Sequence, residues 1–130
     1  MNTTRGEASS ALTDFLHTYI DIADAKDIEA GEAHLTGVDV RFPHATAENA
    51  DDLRELLTGL WSSPVPHRHD TSNVVVREVD HHWVLDAHYV RWIFSESEAP
   101  SVVTLGTYRL KADRLLTPIS LTVSRQWSKA

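Results

Sequence analysis

Three features of the sequence predict an α+β fold, with helices first and a curved antiparallel sheet after them. Up to about Trp61, apolar residues recur every three or four positions; from His67 onward they alternate or run in β-branched blocks. The two regimes meet at Ser62-Ser63-Pro64-Val65-Pro66, a stretch that breaks either kind of element. Beyond it, strand-like runs follow one another across short turns, which is the pattern of a meander.

Taken in order, residues 1–7 read as a flexible tail and residues 8–130 as one domain. Ser9 or Ser10 can cap a helix running to about Ala25. Leu12, Phe15, Leu16, Tyr19, Ile22 and Ala23 form its apolar stripe, with Asp14 and Asp21 opposite and Asp24 on the edge. A short helix from about Asp27 to His34 follows and is interrupted at Gly37. Val38-Asp39-Val40-Arg41-Phe42 alternates as a short strand and stops at Pro43. From Glu48 to Trp61, Leu53, Leu56, Leu57 and Leu60 define an amphipathic helix whose first turns are acidic, as the helix dipole favours. The strands are then His67–Glu78, His82–Glu96, Ser101–Ala112 and Leu115–Trp127, with turns near Asp80-His81, Pro100 and Asp113-Arg114. Helices laid on one face of such a sheet enclose a cone with an apolar interior and a ligand site at its open end.

A chain of 130 residues supports a real core, and its 42% hydrophobic and 24% charged content is ordinary for a soluble globular domain. With no cysteine, thiolate nucleophiles, disulfides and cysteine-ligated zinc are excluded. A net charge of −7 argues against non-specific nucleic-acid binding. No apolar run approaches the ~20 residues of a membrane helix, and no signal-like core follows the polar start, so a cytoplasmic location is expected. No glycine-rich phosphate loop and no Gly-x-Ser-x-Gly elbow is present.

Histidine is the residue type that could carry chemistry. His67, His69, Thr71, Asn73 and Val75 share one face of an ideal strand. His88 lies on the next strand, and an antiparallel pairing could bring it to the same cavity as His69. Imidazoles in a cavity give and take protons near neutral pH. A carboxylate on one ring fixes its tautomer, and Asp24 is the candidate for that role with His88. Most of the eight histidines must be structural or exposed: His81 and His82 fall at a turn, and His17, His34 and His44 at helix flanks or in loops. On the second strand, His88 shares a face with Val84, Val90, Trp92 and Phe94, while Trp83, Leu85, Tyr89 and Ile93 occupy the other. Alternation does not decide which face is inward. His67, His69 and His88 could also form a three-histidine metal site, although no acidic partner is clearly placed to orient them.

Four stretches, in their order along the chain, resemble the nuclear-transport-factor-2-like superfamily in its SnoaL-like and scytalone-dehydratase-like branch. They are Ala23-Asp24-Ala25-Lys26-Asp27-Ile28-Glu29, Val38-Asp39-Val40-Arg41-Phe42, Arg68-His69-Asp70-Thr71-Ser72-Asn73 and Val84-Leu85-Asp86-Ala87-His88-Tyr89-Val90. The resemblance implies that His69, His88 and Asp24 line the pocket, removing a proton next to a carbonyl and expelling a hydroxyl as water. The dehydratase also uses two tyrosines to hold a water on the substrate carbonyl; the corresponding positions here are Ala23 and Val40, and Tyr19, one turn earlier, replaces them only in part. Such donors are worth a few kcal/mol of enolate stabilisation.

The expected function is therefore that of a lyase or isomerase acting on a hydroxylated cyclic carbonyl compound, in polyketide or aromatic metabolism. His69 and His88 are the expected acid–base residues, Asp24 the orienter, and Tyr19, Asn73 and Trp92 the substrate contacts. No cofactor and no metal are required, and the expected partners are a small-molecule substrate and a second or third copy of the chain. A non-catalytic ligand-binding or assembly module of the same fold is the alternative.

Overall fold

The structure is a computed structural model that describes residues 3–129. Helix α1 spans Arg5–Ala25, α2 Ile28–His34 and α3 Ala50–Leu60. The strands are β1 Asp39–Phe42, β2 Ala45–Ala47, β3 His67–Val79, β4 His82–Ile93, β5 Ser101–Ala112 and β6 Pro118–Ser128. They form one open six-stranded sheet in the order β2-β1-β6-β5-β4-β3. Strands β3 to β6 are the expected meander, while β1 joins β6 in parallel.

Helix α1 begins earlier than the apolar stripe suggests. Its N-cap is Thr4, not Ser9 or Ser10, and Thr4 and Glu7 form a reciprocal capping box. Residues Arg5–Glu7 are thus helical rather than tail, while Met1 and Asn2 lie outside the described residues. Ala8, Leu12, Leu16, Tyr19, Ile20 and Ala23 face the core; Phe15 and Ile22 are only half-buried. Asp27 caps α2 and Asn49 caps α3, each accepting a backbone N–H from the first turn. At Gly31 the two helices touch closely enough that a Cβ would lie 2.8 Å from Leu57 Cδ1. The sequence reading has no β2: its three residues, Ala-Thr-Ala, have little strand propensity and are ordered by pairing with β1. Strand β6 starts at Pro118 rather than Leu115, because Asp113 Oδ1 accepts from the N–H groups of Leu115 and Thr117 and holds those residues in a turn.

The core lies between the helices and the concave sheet face, where Leu16, Leu35, Val40, Leu57, Leu85, Leu110 and Leu121 are fully buried. Among the described residues no helix is long and apolar enough to cross a membrane.

Candidate functional site

At the open end of the cone a cavity of about 180 Å³ is lined by α1 (Tyr19, Ala23), the β1–β2 turn (Phe42, Pro43, His44), Leu60 and Trp61 at the end of α3, and the sheet. From the sheet come His67 and His69 of β3, Tyr89 and Arg91 of β4, Thr104 and Tyr108 of β5, and Val123 and Arg125 of β6. A cavity of about 150 Å³ can hold a benzene ring, so this one has room for a single-ring molecule. A larger hollow of about 800 Å³ between α2, α3 and β1 carries Glu29, Glu32, Asp39 and Glu48 but no histidine or tyrosine. The acid–base groups gather in the smaller cavity.

Strand β3 is an edge strand, and its outward N–H groups need partners. At His69 the partner is Asp24, at the end of α1: Asp24 Oδ1 accepts the backbone N–H of His69 at 3.0 Å and also lies 2.7 Å from its Nδ1. An oxygen already accepting one N–H is an acceptor for the ring as well, so Nδ1 carries a hydrogen, and in the neutral ring the lone pair is on Nε2. Lys26, the left-handed cap of α1, donates to the carbonyls of Ser63 and Val65 and ties the start of β3 to the helix end.

His67 has a different role. Its Nδ1 accepts from Arg91 Nε at 3.1 Å, and its Nε2 faces Ala23 O. Arginine only donates, so His67 is the neutral Nε2–H tautomer with both nitrogens engaged. Burial is the main reason its pKa falls from 6.5 to about 4; His69, Arg91 and Lys26 add to the effect, while the bond to Ala23 opposes it. Unfolded His67 protonates near 6.5 and the folded residue only near 4, so between these values the unfolded chain holds the extra proton. This group therefore costs stability as pH falls from about 6.5 to about 4, with a slope of at most about 1.4 kcal/mol per pH unit, and has no effect above that window. Urea unfolding across this range should show a flatter pH dependence in His67→Asn than in the parent. Equal slopes would contradict the assignment.

Three tyrosines complete the polar wall. Tyr89 stacks on Tyr108 with centroids 4.5 Å apart, Tyr19 meets Tyr108 edge-on at 6.1 Å, and Tyr89 lies 6.0 Å from the His69 ring. Burial raises the pKa of all three, keeping the phenols protonated donors. Asp24, His67 and His69 bring one candidate metal-ligand atom each within 4.8 Å of one another. They fit a metal poorly, since both nitrogens of His67 are taken and the Arg91 guanidinium lies against it.

Among solved structures, the chain is similar to an NTF2-like protein with a cystatin-like fold from Novosphingobium aromaticivorans (15% identity, 95% of this chain and 85% of the other covered, TM-score 0.71). This chain has the nuclear-transport-factor-2-like fold. Two further proteins of that organism are also similar to it. One is provisionally named a scytalone dehydratase (15% identity, 92% and 85% covered, TM-score 0.71). The other is the beta subunit of a provisionally assigned aromatic-ring-hydroxylating dioxygenase (17% identity, 94% and 91% covered, TM-score 0.72). No family model matches the chain, and no curated protein matches it.

Within this NTF2-like fold the expected site residues separate into two groups. Asp24, His69 and Tyr19 lie together at the cavity, with Asp24 holding His69 rather than His88. His88 is exposed on the outer face of the sheet, paired across strands with Ser72, and it lines a separate groove with Asn73. The paired imidazoles and the three-histidine cluster are therefore not formed. Trp92, paired with Arg68, also belongs to the outer face. Asn73 leaves the His67–His69–Thr71 row because β3 bulges between Ser72 and Val75, with Asn73 at φ 54°. Beyond the bulge Val76, not Val75, points inward. The residues that do line the cavity, Tyr89, Tyr108, Arg91 and Arg125, are missed by the sequence reading. Their signal is a shared phase: Tyr89 and Arg91 continue the row of Trp83, Leu85 and Ala87, apolar in the core and polar at the mouth.

Proposed function

We propose that the chain is a small-molecule lyase or isomerase of the SnoaL-like, dehydratase-like kind, with His69 as its acid–base residue and Asp24 as the orienter. The observation that carries this reading is the double acceptance by Asp24 Oδ1, which puts a hydrogen on His69 Nδ1 and leaves Nε2 of this cavity-lining ring for proton transfer. His69 Nε2 takes the proton next to the substrate carbonyl. The phenols of Tyr19, Tyr89 and Tyr108 donate to the oxygen on which charge develops, a role expected of Tyr19 alone at first. The protonated imidazole then returns its proton to the leaving hydroxyl, so one residue serves as base and then acid. The provisional dehydratase name of one similar structure is in keeping with this chemistry. No cofactor takes part.

Incubating the protein in deuterium oxide with single-ring β-hydroxy ketones tests the reading. Deuterium should enter the carbon next to the carbonyl, or water should be lost, and His69→Gln should do neither. If no such ketone exchanges or dehydrates above background, the catalytic role fails.

A second reading, an assembly module, is favoured by the outer sheet face, where Val75, Leu105 and Trp127 are exposed by 49%, 39% and 47%. A similar structure is itself named a subunit. A homodimer or homotrimer formed through this face is compatible with either reading, because the face lies opposite the cavity.

A further inference from the structure

The cavity carries charge that the acid–base chemistry alone leaves unused. The chain is acidic, with 19 aspartates and glutamates against 12 lysines and arginines. Arg41, Arg54, Arg68, Arg77 and Arg109 each pair with a carboxylate. The two arginines that line the cavity do not. Arg91 and Arg125 take part in no ion pair among the described residues, and no carboxylate lines the cavity beside them. The carboxylate nearest the site, Asp24, is occupied by His69.

Arg91 is the sharper case. It is half-buried, and its hydrogen bond within the protein is from Nε to the neutral ring of His67. The two terminal nitrogens, the part of a guanidinium that binds carboxylates as a fork, are left for something else. A cation drawn out of water without a counter-charge is costly, and that cost is recovered when an anion arrives in the same place. Arg91 is also held in position before binding, since His67 is itself anchored on Ala23 O. Burial raises the Tyr89 phenol, and the guanidinium groups of Arg125 and Arg91 oppose that rise, so both charges stand near the ring that touches His69. Phe42 and Trp61 supply apolar walls.

We infer that the substrate is a single-ring compound bearing a carboxylate, which Arg91 clamps and Arg125 attracts at the rim, with the ring between the aromatic walls and the His69–Tyr89 edge. This inference deepens the proposed function and rests on the same cavity. It narrows the substrate class from cyclic carbonyl compounds in general to cyclic carbonyl acids. Arg91 is then a binding and positioning residue, separate from the proton transfer at His69.

The test compares benzoate with benzamide, which has nearly the same shape and no charge, by titrating the full chain and following tryptophan fluorescence, to which Trp61 in the cavity wall contributes, and ring-proton NMR shifts. Benzoate should bind at least about tenfold more tightly than benzamide. Arg91→Gln and Arg125→Gln should each weaken benzoate by about tenfold or more while leaving benzamide as it was. Circular dichroism checks each variant; if Arg91→Gln does not fold, the exposed Arg125→Gln decides. Equal affinity for the two probes, no binding of benzoate, or benzoate binding indifferent to the arginine replacements would overturn the inference. Arginine-dependent benzoate binding with no proton exchange on any ring ketone or keto acid would remove the catalytic reading and leave the anion site. Exchange that needs His69 but is indifferent to a carboxylate would do the reverse.

Discussion

His69→Gln is expected to lower proton exchange and turnover by roughly 10²- to 10⁴-fold, the range spanned by losing a positioned general acid–base group. Glutamine keeps comparable reach and a polar end, and the backbone N–H of residue 69 still donates to Asp24, so the contact between the edge strand and α1 survives. The loss should fall on kcat, with substrate affinity little changed, because the bound ring is held by other groups. With His88 on the other face of the sheet, no second imidazole inside the cavity can take over except His67 or the exposed His44, and both nitrogens of His67 are already engaged. Asp24→Asn is a milder change. Its amide oxygen can still accept one N–H, but the carboxylate that fixes the ring tautomer is gone, and a smaller loss in kcat is expected. If His69→Gln turns over an identified substrate at the parental rate, the proton transfer lies elsewhere.

The contrast between His69 and His88 shows what the sequence could and could not specify. The element order, β2 apart, was legible because apolar spacing is helical up to Trp61 except at Val38–Phe42 and strand-like after Ser62–Pro66, and every later turn is marked by Asp, Pro or both. Asp24 was singled out as a partner for a strand histidine, but for His88; that it holds His69, 45 residues away, follows from no local rule. What failed was the phase of β4 and, beyond Ser72, of β3. Residues directly opposite one another project to the same face, so His69 shares its face with Arg91, and Thr71 with Tyr89, while His88 goes with Ser72. One residue of register separates the two outcomes. Both faces of β4 carry aromatic and aliphatic residues, so hydrophobicity did not discriminate between them. The bulge at Asn73 adds a second change of phase within β3, of a kind that a row counted by twos passes over. A better criterion was present in β4 itself: the row that is apolar at Trp83, Leu85 and Ala87 must enter the core, and its continuation to Tyr89 and Arg91 must reach the mouth.

Gly106→Ala should cost roughly 3 kcal/mol of stability, near the top of the usual range for overpacking a close-fitted interior. Gly106 sits on β5 opposite Tyr89, next to the irregularity where β5 and β6 change register. A Cβ there would lie 2.1 Å from the carbonyl oxygen of Ser124 and 2.6 Å from both Cε1 and the hydroxyl of Tyr89. Rotating the tyrosine relieves only one of these clashes. The other is with backbone, and it yields only if β5 and β6 separate locally and give up ladder hydrogen bonds. The same movement would push Tyr89 off its stack with Tyr108 and away from His69, so a folded fraction of Gly106→Ala should also bind ligand weakly. The loss of unfolded-chain entropy that accompanies any Gly→Ala change favours the variant, but by less than 1 kcal/mol or about that amount. Gly59→Ala is the matched control: it lies near the end of α3 with nothing within 4 Å of its missing Cβ. There the entropy and helix-propensity gains act unopposed, and the midpoint of urea unfolding should rise by up to about 1 kcal/mol equivalent. Opposite signs for the two substitutions would tie the cost at Gly106 to the close approach of β6 and Tyr89. A Gly106→Ala protein as stable as the parent would mean that these strands do not meet in this register.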